Sequence, residues 1–309
     1  MMNFEEFCSY VESNILDVLE NKEETTASVK EVLKNNSVVL KGLMIVENES
    51  KISPTIYLED FYEQMVVEEK SKEEILREIA SAYERFRKDT PDFDAHRDLR
   101  EEKIIGVLVN REHNEELLKS IPSVVVNDSL VVIFKYLVDV NSNGIGTVTI
   151  TDYFAELKGY SEKDLMRLAL HNTPKLLEFE IRNMLDVICD MQDISPEEVG
   201  ISELPMYVIG NQHKKFGAFC LLYPEVREQL LNRFDSDLVI LPSSVHELII
   251  IPKEDDMSMS YMDSMVQEVN ATQVVMQEQL ANRAFVLKQD GSDDISKFLS
   301  YYTPEVVGC

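Results

Sequence analysis

Between Pro205 and Pro252 the hydrophobic period of the chain changes several times over a short distance, and this constrains the fold more than any other feature. Met206-Tyr207-Val208-Ile209 reads as a strand, Gly210 to Phe216 as a turn, and Gly217 to Tyr223 as a second strand. Pro224 then opens a helix, at a first-turn position where its missing N–H is harmless, with Val226, Leu230, Leu231 and Phe234 as its apolar face. Leu238-Val239-Ile240-Leu241 and His246 to Ile251 supply two further strands. Their link, Pro242-Ser243-Ser244-Val245, is short enough to predict an antiparallel pair. The block therefore predicts a ββαββ core. A helix presenting Tyr261, Met262, Met265, Val266 and Val269 on one face follows, with Met257 and Met259 outside that stripe and expected at the surface. Ala284-Phe285-Val286-Leu287 adds an edge strand before the turn Gln289-Asp290-Gly291.

Upstream, Phe4, Phe7, Cys8, Val11, Ile15, Val18 and Leu19 recur at three and four residues and predict a helix. A shorter helix is expected around Val29, Val32 and Leu33. Val38 to Val46 and Thr55 to Leu58 read as strands about a turn at Asn48-Glu49-Ser50. One helix starts at Glu59 and another at the capping box Ser71-Lys72-Glu73-Glu74, with Ile75, Leu76, Ile79, Tyr83 and Phe86 on one side. Residues 90–98 read as a loop, Ile104 to Val109 as a strand and His113 to Lys119 as a short helix. Leu130 to Val138 and Thr147 to Thr151 form the arms of a hairpin tipped by Asn141-Ser142-Asn143-Gly144. Ser161-Glu162-Lys163-Asp164 caps a helix reaching His171. Pro174 interrupts it, and helical spacing resumes through Leu176, Leu177, Ile181, Leu185 and Ile188. Ser195-Pro196-Glu197-Glu198 begins a short helical turn.

The fold class that follows is α/β (α+β): mixed, largely antiparallel sheets with flanking helices. Residues 1–157 form an N-terminal α/β region with β-hairpins, and 158–291 a C-terminal α+β region. Residues 292–309 are a tail that docks through Phe298, Leu299, Tyr301 and Tyr302 or frays.

Charge narrows the function classes. The chain carries 57 Asp and Glu against 30 Lys and Arg, a formal net charge of −27. Such a surface repels phosphate backbones and anionic lipid heads, so neither direct nucleic-acid binding nor membrane binding is expected. The longest apolar run, Ala218 to Tyr223, is far short of the ~20 residues of a spanning helix. The N-terminus is acidic where a signal peptide is basic. Cys8, Cys189, Cys220 and Cys309 contain no C-x-x-C spacing and suit a reducing cytoplasm, with Cys220 as a small core residue.

Four patterns bear on chemistry. Asp139, Asn141, Asn143 and Gly144 match the first half of a calcium loop, in which alternate oxygens converge on one cation. Ile150 stands where the bidentate Glu belongs, and Asn-Gly is an ordinary hairpin turn, so the metal reading is disfavoured. Ser243, Ser244 and His246 suggest a nucleophile and base. Glu247 points to the opposite face of the predicted strand, no G-x-S-x-G elbow is present, and His246-Glu247 lacks the second His of a zinc motif. The remaining histidines, His96, His113, His171 and His213, are scattered. No phosphate-cradling glycine loop occurs, and no cofactor is expected. The segment Glu59 to Glu78, with eight acidic and three basic residues, permits a nucleic-acid mimic, although solvated helix faces have the same composition. Met262 and Met265 share a face with Val266 and Val269 and are assigned to the core.

One resemblance stands beside these readings. Ala169-Leu170-His171-Asn172-Thr173-Pro174, Gly217-Ala218-Phe219-Cys220-Leu221-Leu222-Tyr223-Pro224, Leu241-Pro242-Ser243-Ser244-Val245-His246-Glu247 and Glu268-Val269-Asn270-Ala271-Thr272-Gln273-Val274 occur in that order. The stretch from about Tyr160 to Lys288 resembles an uncharacterised bacterial family of anaerobic Gram-positive organisms, known as a domain of unknown function. Residues 36–157 fit it more loosely. The resemblance implies a bacterial cytoplasmic protein and carries over no activity. It directs attention to Asn172, Ser243, Ser244, His246 and Asn270. The expectation from sequence is a non-catalytic intracellular interaction or regulatory protein with a protein partner. A hydrolase-like enzyme centred on His246, or an acidic nucleic-acid mimic antagonising a DNA- or RNA-binding protein, are the alternatives. The oligomeric state is left open.

Overall fold

A computed structural model describes residues 2–20, 25–47, 55–89, 100–141, 144–195, 198, 200, 201 and 204–302. The chain forms two compact units, residues 1–34 with 38–99, and residues 35–37 with 100–309. The 157/158 division expected from sequence falls inside the second unit.

In the first unit, helix α1 (Phe4–Val18) is fixed at its start by Asn3, whose carboxamide accepts from the N–H of Glu6 while the Glu6 carboxylate accepts from that of Asn3. Strands β1 (Thr25–Leu33), β2 (Val39–Glu47) and β3 (Thr55–Tyr57) make an antiparallel meander. Helices α2 (Glu59–Val67) and α3 (Lys72–Asp89) follow, and α3 is capped by the reciprocal Ser71–Glu74 bonds its sequence predicts. Phe7, Val11 and Ile15 of α1 close with Leu43 and Ile45 of β2 and Ile75 and Ile79 of α3 into one apolar core. The helix expected at Val29, Val32 and Leu33 is instead β1, paired residue for residue with β2 from Thr25↔Glu47 to Leu33↔Val39. Two of those three residues are β-branched valines, which a neighbouring strand recruits into a ladder. The turn at 48–50, the loop at 90–98 and the side chain of Phe86 lie outside the described residues.

The second unit contains two antiparallel sheets. Strand β6 (Leu130–Asn141) pairs with β4 (Ile104–Asn110) on one side, and with β5 (Ser123–Val125) and β7 (Gly144–Thr149) on the other. All seven residues of β4 are buried. The segment expected as a helix at His113–Lys119 is a pair of tight 3₁₀ turns, Glu112–Asn114 and Leu117–Lys119. Helix α4 (Asp152–Lys158) leads to α5 (Glu162–Leu176), which is capped by Ser161 and Asp164 and packs on β4.

Pro174 does not interrupt α5. It lies in the last turn, where its one missing N–H leaves the closing bond from Leu177 to the Thr173 carbonyl intact. The helical spacing read through Ile181 spans a strand, β8 (Phe179–Asn183), before α6 (Met184–Gln192) buries Leu185 and Cys189.

The second sheet runs in the order β12-β10-β11-β9-β8, comprising β8, β9 (Tyr207–Asn211), β10 (Leu238–Leu241), β11 (Leu248–Pro252) and β12 (Phe285–Leu287). The β10–β11 pair is antiparallel, as its short link requires. The ββαββ reading needs one correction: Gly217–Leu222 is a 3₁₀ helix, not a strand. All six of its residues are buried, and a run enclosed on every side has no period to read. Gly217 is required there, because an added Cβ would stand 2.2 Å from the His246 carbonyl oxygen and 2.8 Å from the Gly210 Cα.

Helix α7 (Pro224–Arg233) follows that turn, and α8 (Met259–Thr272) covers the sheet with Met262 and Val266 against Val239, Leu241 and Ala284. Tyr261 and Val269, expected on the buried stripe, are exposed. Met257 and Met259, expected outside, are partly buried against the same cluster. The C-terminal segment docks as α9 (Asp294–Tyr302), burying Ile295, Phe298 and Leu299. No helix among the described residues is long and apolar enough to cross a membrane.

Candidate functional site

Asn172 and Thr173 sit on α5 where it meets the outer edge of β4. The Thr173 hydroxyl accepts from the N–H of Gly106 at 3.0 Å, and Asn172 Nδ2 donates to the carbonyls of Glu101 (2.6 Å) and Ile104 (3.1 Å). Among the described residues β4 pairs with a strand on one side only, so the bonds to Gly106 and Ile104 satisfy groups on its open side. Asn172 is thus a fastening for a sheet edge. Tyr223 has the same character: its buried hydroxyl donates to the Leu177 carbonyl at 3.1 Å.

The other motif residues converge on the β10–β11 link and the segment 275–282 that runs beside it. The Ala281 and Leu280 N–H groups donate to the Pro242 and Ser243 carbonyls, and Val245 N–H to that of Glu278. Ser244 Oγ accepts from the N–H of His246 at 3.0 Å, a local hydroxyl turn. Asn270 donates through Nδ2 to the Ala281 carbonyl and to Asn282 Oδ1, both at 2.8 Å, while its own Oδ1 is buried without a partner.

His246 lies just before β11, not within a strand. Its Nδ1 accepts from the N–H of Phe216 at 3.1 Å, which fixes the neutral tautomer with the proton on Nε2. Nε2 stands 3.1 Å from Glu278 Oε1 but without hydrogen-bond alignment. Lys215 approaches the same carboxylate at 3.9 Å. Burial lowers the His246 pKa below its ordinary value, the Lys215 charge adds to that, and Glu278 opposes both. Glu278, thirty-two positions downstream, has no local sequence signal that would have linked it to His246.

A buried amide cluster also escaped the sequence reading. Asn114, fully buried, donates through Nδ2 to Asn35 Oδ1, Asn36 Oδ1 and the Asn110 carbonyl, and accepts from the N–H of Asn36. Asn36, with φ of 59°, in turn donates to the Met276 and Gln279 carbonyls. Asn at positive φ is a recognisable signal, but only once the turn is known.

Asp139 and Asn141 lie in the extended strand β6, paired with Gly146 and Gly144, so the half-motif is stretched along a ladder rather than curled about a cation. Ser142 and Asn143 are outside the described residues. No cluster of three His, Cys, Asp or Glu with metal-binding geometry occurs among the described residues. In Glu59–Glu78, Lys70 stands 2.9 Å from Glu68 and 3.0 Å from Glu78, Glu74 caps α3, and Glu59 accepts from the Lys41 N–H. Burial raises Cys220 to about 12, and its thiol donates to the Gly210 carbonyl, so it is inert core.

Two adjoining concavities share residues, Asp294 at the start of α9 among them. A cleft of 370 Å³ lies between the β5–β6 turn, β12 and the start of α9, and includes Asn127, Asp128, Arg283, Lys288, Asp293 and Asp294. A groove of 510 Å³ shares Asn127, Asp128 and Asp294 with it and continues past Val125, Phe298, Tyr301 and Tyr302. Val125 and Tyr301 are 48% and 64% exposed.

A family model described as a family of unknown function, DUF5688, matches residues 4–289, and the chain belongs to that family. No curated protein and no solved structure matches the chain.

Proposed function

We propose that this member of DUF5688 is a non-catalytic, cytoplasmic protein-binding module, and that the groove along α9 receives an apolar and basic segment of its partner. The observation that carries this reading is the exposure of Tyr301 and Val125 on a groove also lined by Phe298 and Tyr302. Aromatic side chains at a concave surface supply contact area with little loss of side-chain entropy. Asp128 and Asp294 border the same groove, with Lys297 3.7 Å from Asp294. A net charge of −27 steers a basic partner toward any such surface.

The hydrolase alternative asks His246 to take a proton from a serine. Its Nδ1 lone pair already accepts the Phe216 N–H, its Nε2 proton faces Glu278, and Ser244 Oγ is turned to backbone. A general base needs an available lone pair within reach of the proton it removes. The mimic alternative asks for unbroken carboxylate rows, and between α2 and α3 Lys70 is paired with Glu68 and Glu78.

The test compares the whole chain with a Val125→Ser, Tyr301→Ser double variant as bait in lysate from its own host. A basic protein retained by the unaltered chain, released by raised salt and lost from the double variant supports the reading. Identical captures by both baits, or a self-associated dimer abolished by the double variant, overturn it. His246→Asn leaves the capture unchanged on this reading.

A further inference from the structure

We infer that the 370 Å³ cleft beside the start of α9 is a carboxylate-binding site, in which Arg283 offers a pre-oriented guanidinium fork to a ligand that also carries a positive charge. The inference does not depend on what occupies the neighbouring groove.

Arg283 Nε donates to Ser129 Oγ at 2.7 Å. Ser129 is a buried, firmly held anchor: its N–H donates to Asn127 Oδ1 at 2.9 Å, and its carbonyl accepts from the N–H of Arg111 at 2.8 Å. The guanidinium is therefore oriented by a neutral hydroxyl. No carboxylate lies within ion-pair distance of it among the described residues, and its Nη groups have no hydrogen-bond partner there. In a chain with 57 acidic and 30 basic residues, an arginine is normally surrounded by candidate partners. One fixed in a cleft wall with two donors unused matches the planar, bidentate geometry of a carboxylate.

The rest of the cleft fits the same ligand. Lys288 contributes a second cation, which donates to Ser292 Oγ at 3.1 Å. Asp293, though it lines the cleft, is committed: its oxygens accept from the N–H of Lys288 (3.1 Å), the N–H of Ser296 (2.8 Å) and the Ser296 hydroxyl (2.6 Å). Asp294 is turned to Lys297. Asp128 remains as an exposed carboxylate on the cleft, a seat for a positive group and a source of repulsion toward a dianion such as phosphate. Ala284, Phe285, Val286 and Ile295 provide the apolar wall that strengthens a charge-assisted bond. A carboxylate beside a cation is the chemistry of a free amino acid, and equally of the C-terminus of a basic peptide.

The experiment titrates the full chain, followed by NMR shifts of labelled protein. The probes are each free amino acid, its carboxamide and its N-acetyl derivative, a pool of peptides ending in randomised residues after two lysines as free acids and as amides, and inorganic phosphate. Saturable binding by an amino acid or by the free-acid peptides is expected, at least tenfold weaker for the corresponding amide. Arg283→Gln lowers the affinity at least tenfold, and Asp128→Asn weakens the zwitterion but not its N-acetyl form. Arg283→Lys, which keeps the charge without the fork, gives an intermediate loss, with unchanged circular dichroism confirming the fold. Preference between free amino acid and peptide names the source. Absence of saturation by every probe, tighter binding of phosphate than of any carboxylate, or equal affinities for the unaltered chain and Arg283→Gln each overturn the site.

Discussion

In the first unit α1, α3 and β2 close over Phe7, Val11, Ile15, Leu43, Ile45, Ile75 and Ile79, and no buried Asn, Asp, Ser or Thr occurs among its described residues. In the second, Asn36, Asn114, Asn172, Thr173 and Asn270 are buried and joined to backbone groups of other segments, while buried Asn110 and Asn211 close local turns. Apolar packing is non-directional and tolerates exchange at constant volume. A buried polar group must meet its partner with the right geometry or lose its hydration without return. The second unit is thus the one whose loops are specified one bond at a time, and the 370 Å³ cleft beside α9 is itself lined by two more of its buried polar residues, Ser129 and Asp293.

The contrast can be broken by substitution. The largest effect is expected from Asn114→Asp, an isosteric change that replaces an amide donor facing three acceptors with a buried acceptor or charge. It should cost about 3–5 kcal/mol in urea denaturation, the range for an uncompensated buried charge. Thr173→Val keeps its volume but strands the Gly106 N–H, and about 1–3 kcal/mol is expected. Ile79→Val, the matched change in the first unit's core, should cost about 1 kcal/mol. If Thr173→Val costs no more than Ile79→Val, the distinction between the two kinds of interior fails.

The smallest effect is a pH dependence. Because burial holds His246 below its ordinary pKa, the unfolded chain binds the proton first. Its contribution is complete above the unfolded value of about 6.5 and is lost as pH falls from there through the lower folded value. His246→Asn, which retains an acceptor for the Phe216 N–H, should flatten this part of the stability–pH curve. A curve of unchanged slope in the variant would assign the dependence to other groups.

Much of the architecture is legible in short stretches of sequence. The caps at Ser71 and Ser161, the antiparallel β10–β11 link and the β6–β7 hairpin each depend on residues a few positions apart. The candidate site was legible only as a set of names. Ser244 and His246 lie in the β10–β11 link and Asn270 on α8 beside the segment that link is bonded to, yet their polar atoms are engaged mainly by backbone, and the carboxylate facing His246 comes from Glu278. Neither Glu278 nor Arg283 stood out, because an ordinary charged residue acquires meaning only from what it is placed against.

By itself the sequence determined where the capped helices α3 and α5 start, which links are too short to cross a sheet, and an excess of acidic over basic residues beside an abundance of apolar ones, since each follows from composition or from groups within about one helical turn. Tertiary structure decided that 25–33 is a strand and 217–222 a 3₁₀ helix, for a recruiting neighbour in one case and complete enclosure in the other override local period. It also decided the pairing of Arg283 with Ser129, 154 positions away. Directional bonds between such distant groups exist only after the backbone has brought them together, and no local pattern of residues encodes that meeting.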